Sequence, residues 1–310
     1  MREKDTGEKR RRVRRINNPE RNTGTREPER KSNKSSPVPF FCAEPVIGYG
    51  TDPGRRRINQ DALLVMTAET DCFRENTVIF AAVCDGMGGH TKGEEASRTA
   101  VTEMERWFRS IFPGCLADPA GAVGKAAESL RELFLEIHKK LRAAASESGE
   151  NGMGTTACAL LLLGPSYIAA HTGDSRIYAF SEKTPLVTRD HSWVMEEFAA
   201  GRLGEEEMKT DPRRNVLMKC LGIGNGPDPD IRIGLRKKGA EYLLCSDGFW
   251  RERGPAVMLE GRDRGILSRG EAETLIRRGF EENIAAGETD NMTAVLLRDE
   301  WGENGGSSWR

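Results

Sequence analysis

The sequence predicts an α+β domain built in layers, and three features point to it. Apolar runs rich in strand-forming residues recur along the chain: ALLVMTA (62–68), TVIFAAVC (77–84), TTACALLLL (155–163), YIAAHT (167–172), RIYAF (176–180), YLLCS (242–246) and MTAVLLR (292–298). Each is short and bounded by Gly, Asp, Asn or Pro, as strands are. The longest amphipathic segments, 93–112 and 120–146, follow one another with no strand between. Strands and helices are therefore grouped in blocks, which favours layers over a strict βαβ alternation.

Each element has its own signal. In 93–112 the residues Ala96, Ala100, Val101, Met104, Trp107 and Phe108 recur at helical spacing, and 120–146 repeats the pattern for longer. WVMEEFAAG (193–201) reads as a shorter helix that stops at glycine, and GEAETLIRRGFEENIAAG (270–287) as a fourth. Residues 167–180, with Gly173 and Asp174 between two apolar runs, read as an antiparallel hairpin. Residues 41–298 read as one domain and 299–310 as a flexible tail.

With 310 residues the chain can bury a large core. Its net charge of -1 hides an asymmetry, because residues 1–40 hold 13 Lys/Arg against 6 Asp/Glu, with the run KRRRVRR at 9–15. This stretch has too few large apolar residues to offset its ordering entropy, so it reads as a disordered basic tail. Lacking interleaved aromatics, it predicts no nucleic-acid function beyond possible contacts of the tail itself. No apolar stretch follows its charges as a secretory signal would require, and no run of 18 apolar residues occurs, so no membrane association is expected. Seven cysteines, odd in number and never spaced CxxC, point to core filling in a reducing, cytoplasmic setting.

Three aspartates share a setting. Asp85 closes VIFAAVC, Asp247 closes YLLCS, and Asp290 stands just before NMTAVLLR. If the strands near 242–246 and 293–298 pair antiparallel, Asp247 and Asp290 meet on one rim. Converging carboxylates repel one another unless a cation compensates, and hard divalent ions such as Mg2+ and Mn2+ take oxygen ligands of this kind. Taken singly, each acid is better explained as a turn residue.

Eight motifs in order, RRRINQDA, VCDGMGGHTKGE, GTTACALL, AAHTGDSRIYAF, TRDHSWV, RRNVLMKCLG, LLCSDGFW and TDNMTAVLL, resemble the bacterial branch of the metal-dependent protein phosphatase family, also called protein phosphatase 2C. The likeness covers residues 46–298. It implies a four-layer αββα sandwich, two antiparallel sheets packed centrally with helix pairs outside. It also implies hydrolysis of phosphoserine and phosphothreonine by direct attack of a water bridging two Mg2+ or Mn2+ ions, in a monomer that acts on phosphorylated proteins and opposes a serine/threonine kinase in signalling.

Residue by residue, the resemblance makes Asp85 the carboxylate shared by both metals, with the Gly86 carbonyl on the second and Asp247 and Asp290 on the first. Asp61 of NQD matches the acid beside the second metal, acting directly or through a water. Arg56 aligns with the phosphate-binding arginine, flanked by Arg55 and Arg57, which read as a solvated basic loop. Asp174 of GDSR matches a third-metal ligand of some members, but the position of its usual partner holds Arg251, a cation that cannot ligate a metal. His90 and His191 read as structural, and 196–216 corresponds to the substrate-facing flap of bacterial relatives. The intact Asp85, Asp247 and Asp290 argue against a silent phospho-binding scaffold.

Overall fold

The computed structural model describes residues 13–15 (backbone only), 45–73, 77–88, 92–147, 152–180, 186–237, 239–253, 255 and 268–298. His90, Cys42 and the tail 299–310 lie outside them.

Two antiparallel sheets form the centre. The first runs β1 (Val13–Arg15), β3 (Asp61–Glu69), β4 (Thr77–Met87), β6 (Ala157–Leu163), β7 (Ser166–Thr172) and β9 (Asp230–Leu235), with the two-residue β5 (Gly154–Thr155) on the end of β4. The second runs β2 (Val46–Asp52), β11 (Met292–Arg298), β10 (Glu241–Cys245) and β8 (Arg176–Ala179). Helices α1 (Lys92–Ser110), α2 (Phe112–Cys115) and α3 (Ala122–Glu147) belong to the core on the outer face of the first sheet, and α7 (Arg269–Ala286) to that of the second. Between them, α4 (Trp193–Ala199) and α5 (Glu205–Thr210) form the flap and α6 (Asp247–Trp250) follows β10. This is the αββα order.

The layers explain why the strand runs are apolar almost without a break. On β4, Val78, Phe80, Ala82 and Cys84 face α1 and α3, while Ile79, Ala81 and Val83 face the other sheet. Alternate side chains leave a strand on opposite sides, so a strand covered on both faces needs apolar residues at every position.

Two expectations change. Gly173 and Asp174 do not close a hairpin, because β7 pairs with β6 and β9 whereas β8 pairs with β10 in the other sheet. The Gly-Asp turn crosses the sandwich instead. Gly173 has φ +105°, and a Cβ there would meet Thr156 Cβ at 2.6 Å, so only glycine fits the crossing. Within the basic tail, Val13–Arg15 forms β1 on the free edge of β3, with Arg14 opposite Thr67. The unpaired backbone groups of a sheet edge accept such a segment whatever its charge.

Candidate metal centre

The sandwich gathers its acids at one rim. Asp61 opens β3 directly opposite Asp85 on β4. The pairing of β10 with β11 continues past Cys245 through the Ser246 N–H to the Thr293 carbonyl at 3.0 Å. That brings Asp247, the first residue of α6, beside Asp290, and a Cβ on Gly248 would lie 3.3 Å from Asp290 Cβ. Asp174 joins them from the crossing turn, whose carbonyl accepts a hydrogen bond from Trp250 Nε1 at 3.0 Å.

Hydrogen bonds hold each piece of the rim. The Asp85 N–H donates to Thr156 Oγ1 at 3.0 Å, and its carbonyl accepts from the Thr156 N–H at 2.8 Å and Thr155 Oγ1 at 2.9 Å. Ser246 Oγ donates to Asp61 Oδ2 at 2.8 Å. Asn291 ties the arginine loop down, accepting from the Gln60 N–H at 2.8 Å and donating to the Pro53 and Ile58 carbonyls at 3.0 and 3.1 Å. Gly86 leaves room for a close approach of chains, since a Cβ there would meet the Gly93 carbonyl oxygen at 2.0 Å and that of Gln60 at 2.6 Å. Replacing Gly86 by alanine is expected to destabilise the protein by about 2–3 kcal/mol through overpacking against backbone that cannot rotate away, measured by denaturant unfolding.

The electrostatics are those of carboxyl groups crowded together and buried. Burial, only partly offset by the Ser246 hydrogen bond, pushes the Asp61 carboxyl up to about 6. Burial first, and then the charges of Asp61, Asp174 and Asp290, hold Asp85 well above the ordinary carboxylate range. Burial and Asp190 push Asp174 up to about 6. Asp61 Oδ1 is buried with no hydrogen-bond partner. An all-oxygen donor set with an orphaned buried carboxylate oxygen fits hard divalent ions.

A pH dependence follows. With a folded-state pKa raised from 3.8 to about 6, Asp61 keeps a proton that the unfolded chain gives up. Its stabilising contribution is present below pH 4 and is lost as pH rises through about 6, and Asp85 extends the loss upward. The ion-free protein is therefore expected to melt at lower temperature at pH 7 than at pH 5, and Mn2+ to raise the melting temperature more at pH 7. Differential scanning calorimetry with and without chelator checks both.

Two cations already touch the cluster. Arg56 Nη2 donates to Asp290 Oδ2 at 3.0 Å, and Arg251 pairs with Asp247 at hydrogen-bond contact. Arg251 also faces Glu288 at 3.6 Å and Asp290 at 3.9 Å. Glu288, Ser246 and Asn291 carry much of this geometry, yet none was singled out by the sequence; only the closeness of Glu288 to Asp290 in the chain hinted at it. Arg176 turns away from the neighbouring Asp174. It forks onto both oxygens of Asp190 at 2.9 and 2.7 Å and lies 3.3 Å over the Trp250 ring.

Among the described residues one tight trio of another kind exists, His171, His191 and Asp230. His191 Nδ1 accepts the Gly173 N–H at 3.3 Å, which leaves the ring proton on Nε2, 3.3 Å from Asp230. A nitrogen carrying its proton is no metal ligand, so His191 braces the crossing turn, as its structural reading expects.

The comparisons with known proteins agree with this geometry. The profile of the family described as Protein phosphatase 2C matches residues 54–264. The chain belongs to the protein phosphatase 2C family. Protein phosphatase PhpP of Streptococcus pneumoniae is 32% identical over 258 residues, which is 81% of this chain and 96% of that protein. The crystal structure of the serine/threonine phosphatase Stp1 from Staphylococcus aureus matches with a TM-score of 0.68 and 27% identity, covering 86% of this chain and all of that one. The fold is also shared, at a TM-score of 0.61 and 24% identity over 82% of this chain and 98% of the other, with the catalytic domain of the phosphatase PstP in complex with two manganese ions. Membership of the protein phosphatase 2C family therefore accounts for the sandwich.

Proposed function

We infer that the chain is a metal-dependent protein serine/threonine phosphatase. The convergence of Asp61, Asp85, Asp247 and Asp290 on one rim carries the reading. Asp85, Asp247 and Asp290, with the Gly86 carbonyl, would hold two divalent ions, Mn2+ or Mg2+, and Asp61 would serve the second directly or through a water. Bound there, such ions would lower the pKa of water toward neutrality and neutralise the phosphoryl oxygens.

The chain's own residues do the rest. Arg56, 58% exposed at its side chain, carries a planar guanidinium at the mouth of the site, suited to two hydrogen bonds to a phosphate. Asp61, with one oxygen fixed by Ser246 and the other unpartnered, is placed to hold a proton of the attacking water. Cys84, Cys158 and Cys245 do not supply a thiolate, because burial pushes the Cys158 thiol up to about 12 and those of Cys84 and Cys245 higher than ordinary. Asp174 stands outside the ion set, where Arg251 and Arg176 only partly counter the burial and the Asp190 charge that raise its pKa.

The substrates are proteins phosphorylated on serine or threonine, and the counterpart is the kinase activity that makes those phosphomonoesters. The flap, α4 and α5 with Arg213 stacked 3.5 Å from the Trp193 ring, borders a cavity of about 510 Å3 next to Asp174 and is the surface for substrate selection. No described helix is long and apolar enough to cross a membrane.

Purified protein with Mn2+ is expected to release phosphate from a phosphothreonine peptide and from p-nitrophenyl phosphate, and to stop when the ion is chelated. Peptide binding without hydrolysis of either would instead make it a phospho-binding scaffold.

A further inference from the structure

The ion-pair pattern around Arg251 places a cation on two of the acids proposed to hold an ion. Its guanidinium, 18% exposed, contacts Asp247 Oδ2 with one nitrogen and faces Glu288 Oε2 at 3.6 Å and Asp290 Oδ2 at 3.9 Å with the other. The same oxygen of Asp290 accepts from Arg56 on another side. Two carboxylates of the proposed ion site are therefore already engaged by arginines.

Glu288 supplies the other half of the pattern. Its Oε1 accepts from the Thr289 and Asp290 N–H groups at 2.7 and 2.8 Å, whereas its Oε2 is buried and accepts no hydrogen bond. A buried carboxylate oxygen left in that state is costly. The Arg251 nitrogen 3.6 Å away stops about 0.6 Å short of a normal bond. A small shift of the guanidinium off Asp247 and Asp290 would complete it.

On the reading that Asp247 and Asp290 ligate a divalent ion, we propose that Arg251 exchanges with that ion and becomes a second phosphoryl-binding arginine. Without the ion it neutralises Asp247 and Asp290. When the ion takes those oxygens, the guanidinium settles on Glu288, and its remaining N–H groups face the adjoining cavity, which Arg251 lines together with Asp174 and Trp250. Five donors in a fixed fork allow one edge to bind Glu288 while another meets a phosphoryl oxygen. Metal binding and oxyanion binding then reinforce one another, because each is favoured by the same displaced position.

A double-mutant cycle read by Mn2+ titration calorimetry tests the exchange. Arg251→Gln removes the competitor and is expected to bind Mn2+ at least about fivefold more tightly, the lower end of typical site coupling. Glu288→Gln removes the resting place and is expected to bind it more weakly. In the double variant, where neither the competitor nor its resting place remains, Glu288→Gln is expected to have no further effect; additive changes would reduce both residues to independent background charges and overturn the exchange. With Mn2+ saturating, inorganic phosphate is expected to bind Arg251→Gln about tenfold more weakly, the worth of one charged hydrogen bond. Unchanged Mn2+ or phosphate affinity in Arg251→Gln overturns the proposal while leaving the two-ion centre intact. A wild-type protein that binds no Mn2+ overturns both.

Discussion

Replacing Asp85 by asparagine is expected to lower turnover of a phosphothreonine peptide by at least about a thousandfold. The charge stabilisation supplied by bound ions is worth several kcal/mol of barrier, and each 1.4 kcal/mol is a factor of about ten. Asp85 is the acid proposed to be shared by both ions, so its loss weakens both at once. Asparagine is close in shape, and the backbone bonds of Asp85 to Thr155 and Thr156 do not involve its side chain. The fold should persist. One repelling carboxylate is gone from beside Asp61, Asp174 and Asp290, so the ion-free variant should melt higher than the ion-free wild type at pH 7. Lost activity with raised ion-free stability is a pair of outcomes that a damaged fold cannot produce. Steady-state kinetics and calorimetry on the same preparations read both, and an active Asp85→Asn variant would remove Asp85 from the chemistry.

The largest expected effect on stability is far from the rim. Trp107 is 1% exposed between α1, α3 and the first sheet, with Phe80 and Phe112 ring centroids at 5.3 and 5.4 Å. Its indole N–H donates to Ser129 Oγ at 2.8 Å, which joins α1 to α3. Trp107→Ala leaves a cavity too enclosed to collapse and removes that bond, so a loss of about 3–5 kcal/mol is expected. Phe108 and Phe112 stack on one another at 5.3 Å and limit how far neighbours can move in. Urea unfolding gives the value; a loss below about 1 kcal/mol would mean that α1 is held to the sheet by something other than this cluster.

What the sequence conveyed depended on how local each signal was. β3, β4, β6, β10 and β11 are apolar on both faces because both are covered, so they stand out as runs. β2 was missed because glycines at 48 and 50 thin its side chains, and those glycines are needed: a Cβ on Gly48 would meet the Ala272 backbone at 2.6 Å. β9 was missed because it is an edge strand, with Ile233 and Leu235 among the exposed large apolar residues. The hairpin expected at Gly173–Asp174 failed for a related reason. A Gly-Asp turn fixes the local bend but not which sheet receives the next strand, and Thr156 and the β8–β10 pairing decide that.

The site divides in the same way. Acids at strand ends are visible because a charged residue abruptly interrupts an apolar run, and Asp85, Asp247 and Asp290 do converge, joined by Asp61, which only the family resemblance singled out. Arg56 reaches Asp290 across 234 positions of sequence, a contact that only the pairing of β2 with β11 and the Asn291 brace create. Arg251 was readable as a cation in an unexpected place. Its partners were not, because Glu288 lies on a loop whose fold brings it back toward α6.

Counting bound Mn2+ most directly tests the central claim that one rim of four acids is a two-ion centre. Calorimetric titration of chelator-treated protein at pH 7 is expected to give two ions per chain for the wild type, with both sites lost or strongly weakened in Asp85→Asn and one lost in Asp247→Asn. Two ions bound with unchanged affinity in Asp85→Asn would contradict the account.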